Sequence, residues 1–552
     1  MNYRNSPGSG DIFRSGPNHG TSQIPCLLST KTFIFKRLSR GISQVEELNL
    51  AKPSLPHIYV SLAAPTLGAM EALAIHVSGV PVGYELRLDY LQEFSQLESL
   101  LHQMLMRLHF PQTIATCRMA TAGGMLRGTL ADQVAILSAA VRAGCQWVDV
   151  EIESVQNCGV GLLQDLRPAK IIVSYHDFQK TPPLAPVYRR MVRLPVEVVK
   201  IATQARKLRD NLQIHRLLKA HRRRTPKVAA LAMGASGVPS RLLCLLWGSA
   251  FTYAAPLNYS PAAAGQIPAE VMRSVYRVER LDSHTQLYGV VGSHASISLS
   301  PAMQNAAFQA KHVNAVFLPC QTSQLADFLA FARELELQGF AVTMPFKRAI
   351  LRALDWVDPL AHRISACNTV ALQRGRWLGW NTDAAAVVEV LTKRLRLAGS
   401  RILILGAGGA ARAAAYAVRA EGAEVIISAR REAAARALAR GVAALVVPWD
   451  SAESLEVDAV INATPVGMFP HVDSAPIDLA RLRVRVVFDM VYFPLDTRFL
   501  SEARGRGLTT ISGLEMLVAQ GARQFEIWTG IAAPRALMEQ AVRSALGHKA
   551  GG

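Results

Sequence analysis

The chain has 552 residues, more than one hydrophobic core usually serves, so two or more domains are expected. Hydrophobic residues make up 50% and charged residues 18%, which indicates a globular protein and excludes an extended disordered chain. The formal net charge is +19, but apart from the run His221 to Arg224 the basic residues are scattered. A solvated arginine-rich surface is therefore favoured over a nucleic-acid or membrane partner.

Cysteine usage and hydropathy bear on metal binding and on the cellular compartment. The seven cysteines include no Cys-x-x-Cys pair, which argues against a disulfide framework and against a zinc site, so no metal is expected. No apolar run reaches transmembrane length. These features predict a cytoplasmic protein, and no patch in the sequence identifies a mode of self-association, so the oligomeric state stays open.

Residues 1–55 are rich in Ser, Gly, Asn and Arg and predict a poorly ordered N-terminal tail. A transit peptide, a regulatory tail and a translation start placed too far upstream all fit this composition. The sequence does not choose among the three.

From Ile58 to about Gly248 short apolar runs alternate with helical patterns such as 131–143 and 205–222. The eight candidate strands are IYVSLAA, YELRLDYL, TIATCRM, WVDVEIE, KIIVSYHDF, EVVKIAT, KVAALAMG and LCLLWG. Repeated strand and helix predict an α/β fold with a parallel sheet covered by helices, and eight units predict a closed (β/α)8 TIM barrel. In such a barrel the chemistry gathers at the C-terminal ends of the strands.

Four residues at strand ends or in strand-following loops form a candidate first site. Lys200 lies in the apolar context VVKIA, where burial favours the neutral amine that attacks a ketone to form an imine. His176 is a natural proton carrier, Glu151 could orient its imidazole, and Arg241 could clamp a carboxylate. Each also has an ordinary structural explanation, because a lysine can snorkel, a histidine can cap a turn and an arginine can cover the barrel rim.

In this order the motifs of residues 56–273 resemble the type I 3-dehydroquinate dehydratases. The matching segments are ELRLD at 85–89, TCRMA with Arg118, DVE at 149–151, SYHDF with His176, KIA with Lys200, MGASGVPSR ending in Arg241, and GQ at 265–266. The resemblance implies a barrel that removes water from 3-dehydroquinate through a lysine imine. It implies catalytic Lys200, His176 and Glu151, and substrate contacts at Glu85, Arg87, Arg118, Arg241 and Gln266.

Two loops depart from that family pattern. Ala122 stands before the paired glycines where relatives often have an acidic residue, and the loop before the terminal GQ reads PAAAGQ, with Ala262 and Ala264. Neither change touches Lys200 or His176. We therefore expect an altered substrate affinity or loop closure, with the chemistry retained.

The stretch VMRSVYRVERLDSH predicts a charged helical connector, with a linker at 274–286. After it the pattern predicts an α/β substrate lobe at 287–386, a nucleotide fold at 387–512 and C-terminal helices at 513–552 that return to the substrate lobe. A nucleotide fold inserted between two parts of another lobe creates a cleft in which substrate and cofactor meet.

The segment RILILGAGGAAR at 401–412 predicts a dinucleotide-binding turn, because an apolar strand runs into closely spaced glycines and an alanine-rich helix. Gly406 allows the tight turn, Gly408 lets the backbone approach a pyrophosphate, and Ala411 lets the helix pack on the strand. The free N–H groups of the helix N-terminus then face the phosphates. A tight strand-to-helix turn without a ligand is the alternative.

Lys347 in VTMPFK and Asp383 in NTD lie on either side of Asn368 in CNTV. A lysine and an aspartate across a cleft can pass a proton to an alkoxide that forms during hydride transfer. The hydroxyl and amide groups of Ser298, Ser300, Thr343 and Gln520 suit a polyhydroxylated ring. The ordinary alternatives are a surface ion pair and a helix cap.

From 287 to 546 these motifs, together with NATPVGM, DMVYFP and GLEMLVAQGARQF, resemble shikimate dehydrogenase. The resemblance implies catalytic Lys347 and Asp383. The implied shikimate contacts are Ser298, Ser300, Thr343, Asn368, Tyr492 and Gln520. The implied cofactor contacts within a Rossmann fold are Gly406, Ala407, Gly408, Gly409, Ala410, Arg430, Arg431, Thr464, Met490 and Gly513.

The segment SARR predicts NADP as the cofactor, because no Asp or Glu is present there to accept a hydrogen bond from a ribose 2′-hydroxyl. Arg430 and Arg431 would instead meet a 2′-phosphate. Gln304 and Phe317 stand where relatives often carry His and Tyr, which leaves open weaker binding or a preference for related ring acids.

The product of the first implied reaction, 3-dehydroshikimate, is the substrate of the second. The sequence thus predicts a fused enzyme of the shikimate pathway of aromatic amino acid biosynthesis, in the domain order of the plant-type fusion, with 3-dehydroquinate, 3-dehydroshikimate and shikimate as its small-molecule partners. A catabolic enzyme that oxidises quinate or shikimate, and a non-catalytic metabolite sensor on the same folds, stay as alternatives.

Overall fold

A parallel barrel begins the described part of the chain. The computed structural model describes residues 56–77, 79–109, 112–259 and 261–550, with side chains up to Gly547, so the predicted tail at 1–55 lies outside the described residues. The barrel strands are β1 (Ile58–Leu62), β2 (Gly83–Arg87), β3 (Thr113–Thr116), β4 (Trp147–Glu151), β5 (Lys170–Asp177), β6 (Val198–Gln204), β7 (Lys227–Met233) and β8 (Thr252–Ala254). The helices are α1 (Leu67–His76), α2 (Leu97–Leu108), α3 (Leu130–Ala143), α4 (Ile152–Cys158), α5 (Gly161–Asp165), α6 (Leu184–Met191), α7 (Asp210–His221), α8 (Val238–Trp247) and α9 (Ala269–Ser274).

The strand order 7-6-5-4-3-2-1-8 and the parallel pairing confirm the predicted barrel. Strand β8 pairs along β1, whereas the closure toward β7 consists of the Ala250 N–H donated to the Val228 carbonyl at 2.8 Å. The barrel is therefore nearly closed, and its strand ends form one rim.

The predicted eighth strand, LCLLWG, is wrong. These residues lie in α8, and the eighth strand is the three-residue segment Thr252–Ala254. Helix α8 is buried over most of its length, and a short apolar run in a buried helix has the same composition as a buried strand.

The predicted helix at 131–143 is present as α3, which starts with a reciprocal capping box between Thr129 and Asp132. The predicted helix at 205–222 begins later, at Asp210. The Asp210 carboxylate accepts the N–H groups of Arg206 and Lys207 at 2.9 and 3.0 Å, which stabilises a loop in place of the first helical turn.

The predicted helical connector is broken. Only its start lies in α9, and a 3-10 turn follows at Val278–Arg280. Met272, Tyr276 and Val278 are buried in a hydrophobic cluster that continues from the barrel into the next lobe. The connector therefore joins the two halves through a shared core.

The second half starts with a mixed sheet of order 10-9-11-13-14-12, in which β13 runs antiparallel to both neighbours. Its strands are β9 (Gln286–Gly292), β10 (Ala315–Gln321), β11 (Gly339–Val342), β12 (Trp356–Val357), β13 (Thr369–Gln373) and β14 (Arg376–Trp380). Its helices are α10 (Ser300–Ala310), α11 (Leu325–Glu334), α12 (Pro359–Ile364) and α13 (Thr382–Thr392).

A six-stranded parallel sheet of order 17-16-15-18-19-20 follows, which is the doubly wound dinucleotide-binding order. Its strands are β15 (Arg401–Leu405), β16 (Glu424–Ser428), β17 (Leu445–Val446), β18 (Ala459–Asn462), β19 (Val486–Asp489) and β20 (Thr509–Ile511). The remaining helices are α14 (Gly409–Ala420), α15 (Glu432–Val442), α16 (Arg498–Gly505), α17 (Gly513–Thr529) and α18 (Arg535–Ala550).

Helices α17 and α18 pack back on the mixed sheet. Phe525 of α17 and Met538 of α18 share a buried cluster with Tyr288 and Phe308. The nucleotide sheet is thus inserted, along the chain, between segments that pack together in the other lobe. Within the described residues, no helix is long and apolar enough to cross a membrane.

Candidate functional sites

Lys200 lies inside the barrel between two carboxylates. Its Nζ donates to Asp149 Oδ2 at 2.6 Å and to Glu85 Oε1 at 3.2 Å, and it lies 4.1 Å from the centroid of the Tyr253 ring. All four side chains are buried. The apolar surroundings expected from VVKIA hold for the neighbouring strand residues, but the amine itself contacts two carboxylates.

Glu85 connects this lysine to the rim. It accepts hydrogen bonds from Ser61 Oγ at 2.6 Å and Thr116 Oγ1 at 3.1 Å. Burial alone raises its pKa, but Lys200, Arg87 and the Ser61 hydroxyl outweigh burial and bring the pKa of Glu85 down to about 2. Gln266 Nε2 donates to the same Ser61 Oγ at 3.0 Å, so Gln266 belongs to this network.

Two buried arginines belong to the same group of charged side chains inside the barrel. Arg118 lies 3.7 Å from Asp149 Oδ2 and 3.5 Å from Glu151 Oε1, and its Nε and Nη2 have no hydrogen-bond partner within the described residues. Arg87 makes a two-pronged ion pair with Asp89, at 2.9 and 2.8 Å. Burial opposes the charge of Arg87, yet the Asp89 carboxylate holds its pKa above the usual value.

The structure does not place Glu151 as the hydrogen-bond partner of His176. Glu151 accepts instead from the Gln133 amide, from Met119 N–H at 3.1 Å and from Ser154 Oγ at 3.3 Å. Within the described residues His176 Nδ1 has no hydrogen-bond partner. Gln133 on α3 competes successfully for the carboxylate because its amide group donates within the same buried space.

His176 stands two residues beyond Ser174, the cross-strand partner of Lys200, and so on the same face of the sheet. Its ring stacks on Phe178 with the ring centroids 5.8 Å apart, and Phe178 in turn covers Gly123, beside Ala122. Burial, and then the charges of Arg118 and Lys200, hold the pKa of His176 well below its ordinary value. The imidazole is therefore a neutral base near pH 7.

Arg241 is buried at the start of α8 and lacks a carboxylate partner within the described residues. Its Nη1 donates to the Tyr253 carbonyl at 2.9 Å, while its Nε has no partner there. Burial lowers the pKa of Arg241 to about 10. A buried guanidinium with a free Nε and without a carboxylate partner among the described residues offers a strong site for an external anion.

In the second half the structure joins the predicted pair. Lys347 Nζ donates to Asp383 Oδ2 at 2.6 Å, and Asn368 Nδ2 donates to Asp383 Oδ1 at 2.8 Å. Asn368 Nδ2 also reaches Thr382 Oγ1 at 2.9 Å and Gln520 Oε1 at 3.4 Å. Lys347 retains some solvent exposure, whereas Asp383 is buried. The arrangement is a fixed carboxylate with a solvent-reachable amine.

Other predicted contacts have the following local settings. Ser298 precedes α10, and its Oγ accepts from Ser300 N–H at 3.2 Å. Thr343 follows β11, directly before the loop that carries Lys347, and its methyl group lies 2.4 Å from where a Cβ on Gly292 would be. Tyr492 is half-buried in the cluster beneath α17, and burial raises the pKa of its hydroxyl.

Gln304 and Phe317, the two departures from the family pattern, are fully buried. Gln304 Nε2 donates to the Gly521 carbonyl at 2.9 Å, and the Phe317 ring packs on Trp528 with centroids 5.5 Å apart. Both side chains thus contact α17.

The glycine-rich turn at the start of α14 lies next to the Lys347–Asp383 pair. Gly406 has φ +112, and a Cβ on Gly409 would lie 3.3 Å from Lys347 Cδ. Gly408 caps α14 with no side-chain hydrogen bond and is exposed, and Ala407 and Ala410 flank it half-buried. The N–H groups at this helix end therefore lack a capping side chain and lie beside Lys347.

The remaining predicted cofactor residues line the strand ends around that turn. Thr464 Oγ1 donates to Asn462 Oδ1 at 2.6 Å, and its methyl group lies beside Gly406. A Cβ on Gly513 would lie 2.7 Å from the Met490 carbonyl, so those two residues also approach closely. Arg430 and Arg431 follow β16 and are exposed.

Sequence reasoning missed several residues of these sites. Asp149, which makes the shortest contact with Lys200, lies in the DVE motif. Its position near the end of a barrel strand could have indicated a site residue. Tyr253 lies on the strand that was misplaced. Thr382 and Gln133 act through side-chain partners distant in sequence, at 14 and 18 residues, which no local pattern indicates.

Family models match the chain in four segments. The model of type I 3-dehydroquinase matches residues 58–283, and that of the shikimate dehydrogenase substrate binding domain matches 290–370. The model of F420-dependent NADP oxidoreductases matches 401–489, and that of the shikimate 5′-dehydrogenase C-terminal domain matches 513–543.

Two relatives and one solved structure illustrate these matches. The bifunctional chloroplastic 3-dehydroquinate dehydratase/shikimate dehydrogenase of Arabidopsis thaliana is 33% identical over 481 residues, which cover 83% of this chain and 79% of the relative. The NADP(+) shikimate dehydrogenase of Thermococcus kodakarensis is 41% identical over 265 residues, covering 47% of this chain and 97% of the relative. The shikimate 5-dehydrogenase of Thermus thermophilus, solved with NADP(H) and shikimate, is 38% identical, with a TM-score of 0.45. The match covers 48% of this chain and 100% of the solved chain.

Proposed function

The chain belongs to the family of bifunctional 3-dehydroquinate dehydratase/shikimate dehydrogenases, and we propose that its two reactions run at the two lysine sites. It is a fused 3-dehydroquinate dehydratase and NADP-dependent shikimate dehydrogenase of the shikimate pathway. The observation that carries the proposal is that each half holds a lysine 2.6 Å from a buried aspartate.

In the dehydratase, Lys200 Nζ attacks the ketone carbon of 3-dehydroquinate and forms an imine with loss of water. The amine must first lose a proton, and Asp149 Oδ2 at 2.6 Å is the nearest acceptor. Glu85, with a pKa of about 2, stays ionised and stabilises the iminium cation that results. The iminium withdraws electrons and acidifies the adjacent C–H group.

His176 then moves the proton. Because its pKa is held well below the ordinary value, the neutral imidazole is the resting form and can take the proton from carbon. The same imidazolium returns a proton to the hydroxyl that leaves as water. Hydrolysis of the imine releases 3-dehydroshikimate and restores the amine, so one water is lost overall.

The substrate carboxylate pairs with Arg241. Its guanidinium is buried, has a free Nε and lacks an acidic partner among the described residues, so an incoming carboxylate supplies the missing charge. Gln266 and Arg118 supply further donors, and Arg87 is oriented by Asp89.

In the dehydrogenase, Lys347 protonates the oxygen of 3-dehydroshikimate as the carbonyl is reduced. Asp383, held by Asn368, orients Lys347 and stabilises its charge before the proton is given up. The remaining hydroxyl and carboxylate groups of the ring meet Ser298, Ser300, Thr343, Tyr492 and Gln520.

The residues present fit NADP, which supplies the hydride when bound. The uncapped N–H groups of α14 suit the pyrophosphate, and side chains at Gly406 or Gly409 would crowd the turn. Beyond β16 the exposed Arg430 and Arg431 suit a 2′-phosphate, with Thr464, Met490 and Gly513 on the opposite side of the turn.

We further propose that the enzyme works in the cytoplasm on small molecules alone, without nucleic-acid or membrane partners. The six described cysteines are free, which suits a reducing compartment. Cell fractionation with an activity assay tests the compartment, and activity confined to a membrane or organelle fraction would contradict it.

The proposed roles are tested on the purified full chain, one reaction at a time. Borohydride reduction in the presence of 3-dehydroquinate should attach the ring to Lys200, as found by peptide mass. Separately, 3-dehydroshikimate should be reduced with NADPH, and Lys347→Ala should abolish this. Binding of both ring acids without turnover would favour the sensor alternative.

A further inference from the structure

The dehydrogenase half carries a buried carboxylate whose partners lie mostly in the barrel. Asp327, in the first turn of α11, has no exposed surface. Its Oδ2 accepts from Leu208 N–H at 2.6 Å, and its Oδ1 accepts from Arg209 N–H at 3.2 Å and Arg209 Nε at 3.0 Å. Within its own half it accepts from Thr322 Oγ1 at 3.2 Å.

The barrel groups that Asp327 binds belong to the loop 205–209. This loop directly follows β6, the strand of Lys200, and precedes α7. N–H groups at the start of a helix lack intrahelical acceptors and need a partner. Here that partner comes from the other half of the chain.

The same loop is connected to Arg241 by Asn211, which is also fully buried. Asn211 Nδ2 donates to the Leu208 carbonyl at 2.6 Å and to the Ser236 carbonyl at 2.7 Å. Asn211 Oδ1 accepts from the N–H of Ser240, the residue before Arg241, at 3.0 Å. Asp327 is therefore three hydrogen-bonded steps from the start of α8.

A further hydrogen bond crosses the interface near the three that Asp327 accepts. Ser236 Oγ donates to the Gln321 carbonyl at 3.0 Å. The Gln321 side chain in turn accepts from Ser296 N–H at 3.2 Å, two residues before Ser298. The turn before α8, the helix of Arg241, is thus joined across the two halves to the segment just before Ser298.

We propose that Asp327 is a positioning residue of the dehydratase site that is supplied by the dehydrogenase half. It fixes the loop 205–209 and, through Asn211, the placement of Arg241 against the substrate carboxylate. The inference rests on the proposed role of Arg241. It makes the barrel site of this fused chain dependent on a residue outside the barrel.

The test is Asp327→Asn in the full chain, with Glu334→Gln as the matched control. Glu334 lies on the same helix and pairs with Arg216 of α7 across the same interface. This pair is partly exposed and lies outside the loop 205–209. In Asp327→Asn the amide can turn only one acceptor oxygen toward donors that previously met two.

For Asp327→Asn we expect the KM for 3-dehydroquinate to rise about tenfold, with a smaller change in kcat, because the strands on both sides hold Lys200. Reduction of 3-dehydroshikimate by NADPH should not change, and Glu334→Gln should leave both reactions unchanged. An unchanged KM, or a parallel loss of both activities, would overturn the inference.

Hydrogen exchange of the segment 205–211, measured by mass spectrometry, gives a readout independent of turnover. Faster exchange in Asp327→Asn but not in Glu334→Gln supports the inference, and equal exchange in all three proteins overturns it. If the unchanged protein does not dehydrate 3-dehydroquinate, the proposed function fails, while the exchange result still decides the positioning role.

Discussion

The buried pair of Glu85 and Lys200 makes a prediction about stability and pH. The pKa of Glu85 is about 2 in the folded chain against an ordinary value of 4.5. One pKa unit corresponds to about 1.4 kcal/mol, so ionised Glu85 contributes about 3 kcal/mol at neutral pH. Because the folded pKa is lowered, this contribution is complete above pH 4.5 and is lost as the pH falls toward 2.

Glu85→Gln keeps hydrogen-bond capacity toward Ser61 and Thr116 but removes the charge that pairs with Lys200. We expect the free energy of unfolding of the barrel to fall by up to about 3 kcal/mol at pH 7, and the difference from the unchanged protein to narrow by about 1 kcal/mol at pH 4. Urea unfolding followed by tryptophan fluorescence at both pH values measures this difference.

The matched control is Glu98→Gln, which breaks the exposed pair with Arg142 on the barrel surface. An exposed ion pair contributes at most about 1 kcal/mol, so this variant should differ little from the unchanged protein at either pH. A Glu85→Gln difference that is the same at pH 7 and pH 4, or no larger than that of Glu98→Gln, would show that the Glu85 charge does not stabilise the barrel.

Three further predictions concern the reactions. His176→Asn should lower kcat of dehydration by about 10²- to 10⁴-fold, while borohydride still traps the Lys200 adduct. Because the pKa of His176 is held low, kcat/KM of the unchanged protein should not fall between about pH 7.5 and about pH 6. A decline in kcat/KM with a midpoint near 6.5 would contradict this expectation. Lys347→Met and Asp383→Asn should each slow reduction, and the double variant should be little worse than the poorer single one, since the two act as a unit; additive losses would argue against a coupled pair. Arg430→Ala should raise the KM for NADPH about tenfold and leave the KM for NADH nearly unchanged; equal effects on both cofactors would remove Arg430 from cofactor choice.

Much of the barrel could be predicted because alternating apolar runs and helical patterns repeat along it, and seven of the eight proposed strands are present. The eighth was misplaced because α8 is buried over most of its length, so its apolar run lacks the one-sided pattern that identifies a surface helix. The late start of α7 was missed for another reason. Its N-terminal loop is held by Asp210 and also by Asp327, which is more than a hundred residues away and lies outside any local window.

The sites divide in the same way. Lys200, Lys347 and Asp383 lie in short motifs whose residue types indicate their chemistry, and the Lys347–Asp383 pair has the expected contact. The expected Glu151–His176 hydrogen bond is absent from the described residues, because Gln133 from α3 reaches the carboxylate. Motifs identify the reactive groups, whereas side-chain competition in a buried space depends on the packed structure.

The most direct test gives the purified full chain 3-dehydroquinate and NADPH and follows NADPH absorbance together with shikimate formation. We expect coupled NADPH oxidation and shikimate formation in the unchanged protein. Lys200→Ala should abolish both from 3-dehydroquinate but retain them from 3-dehydroshikimate, and Lys347→Ala should accumulate 3-dehydroshikimate without oxidising NADPH. Turnover of 3-dehydroshikimate alone would show that the barrel lacks dehydratase chemistry, and a Lys200→Ala variant that still converts 3-dehydroquinate would exclude Lys200 as the imine-forming residue.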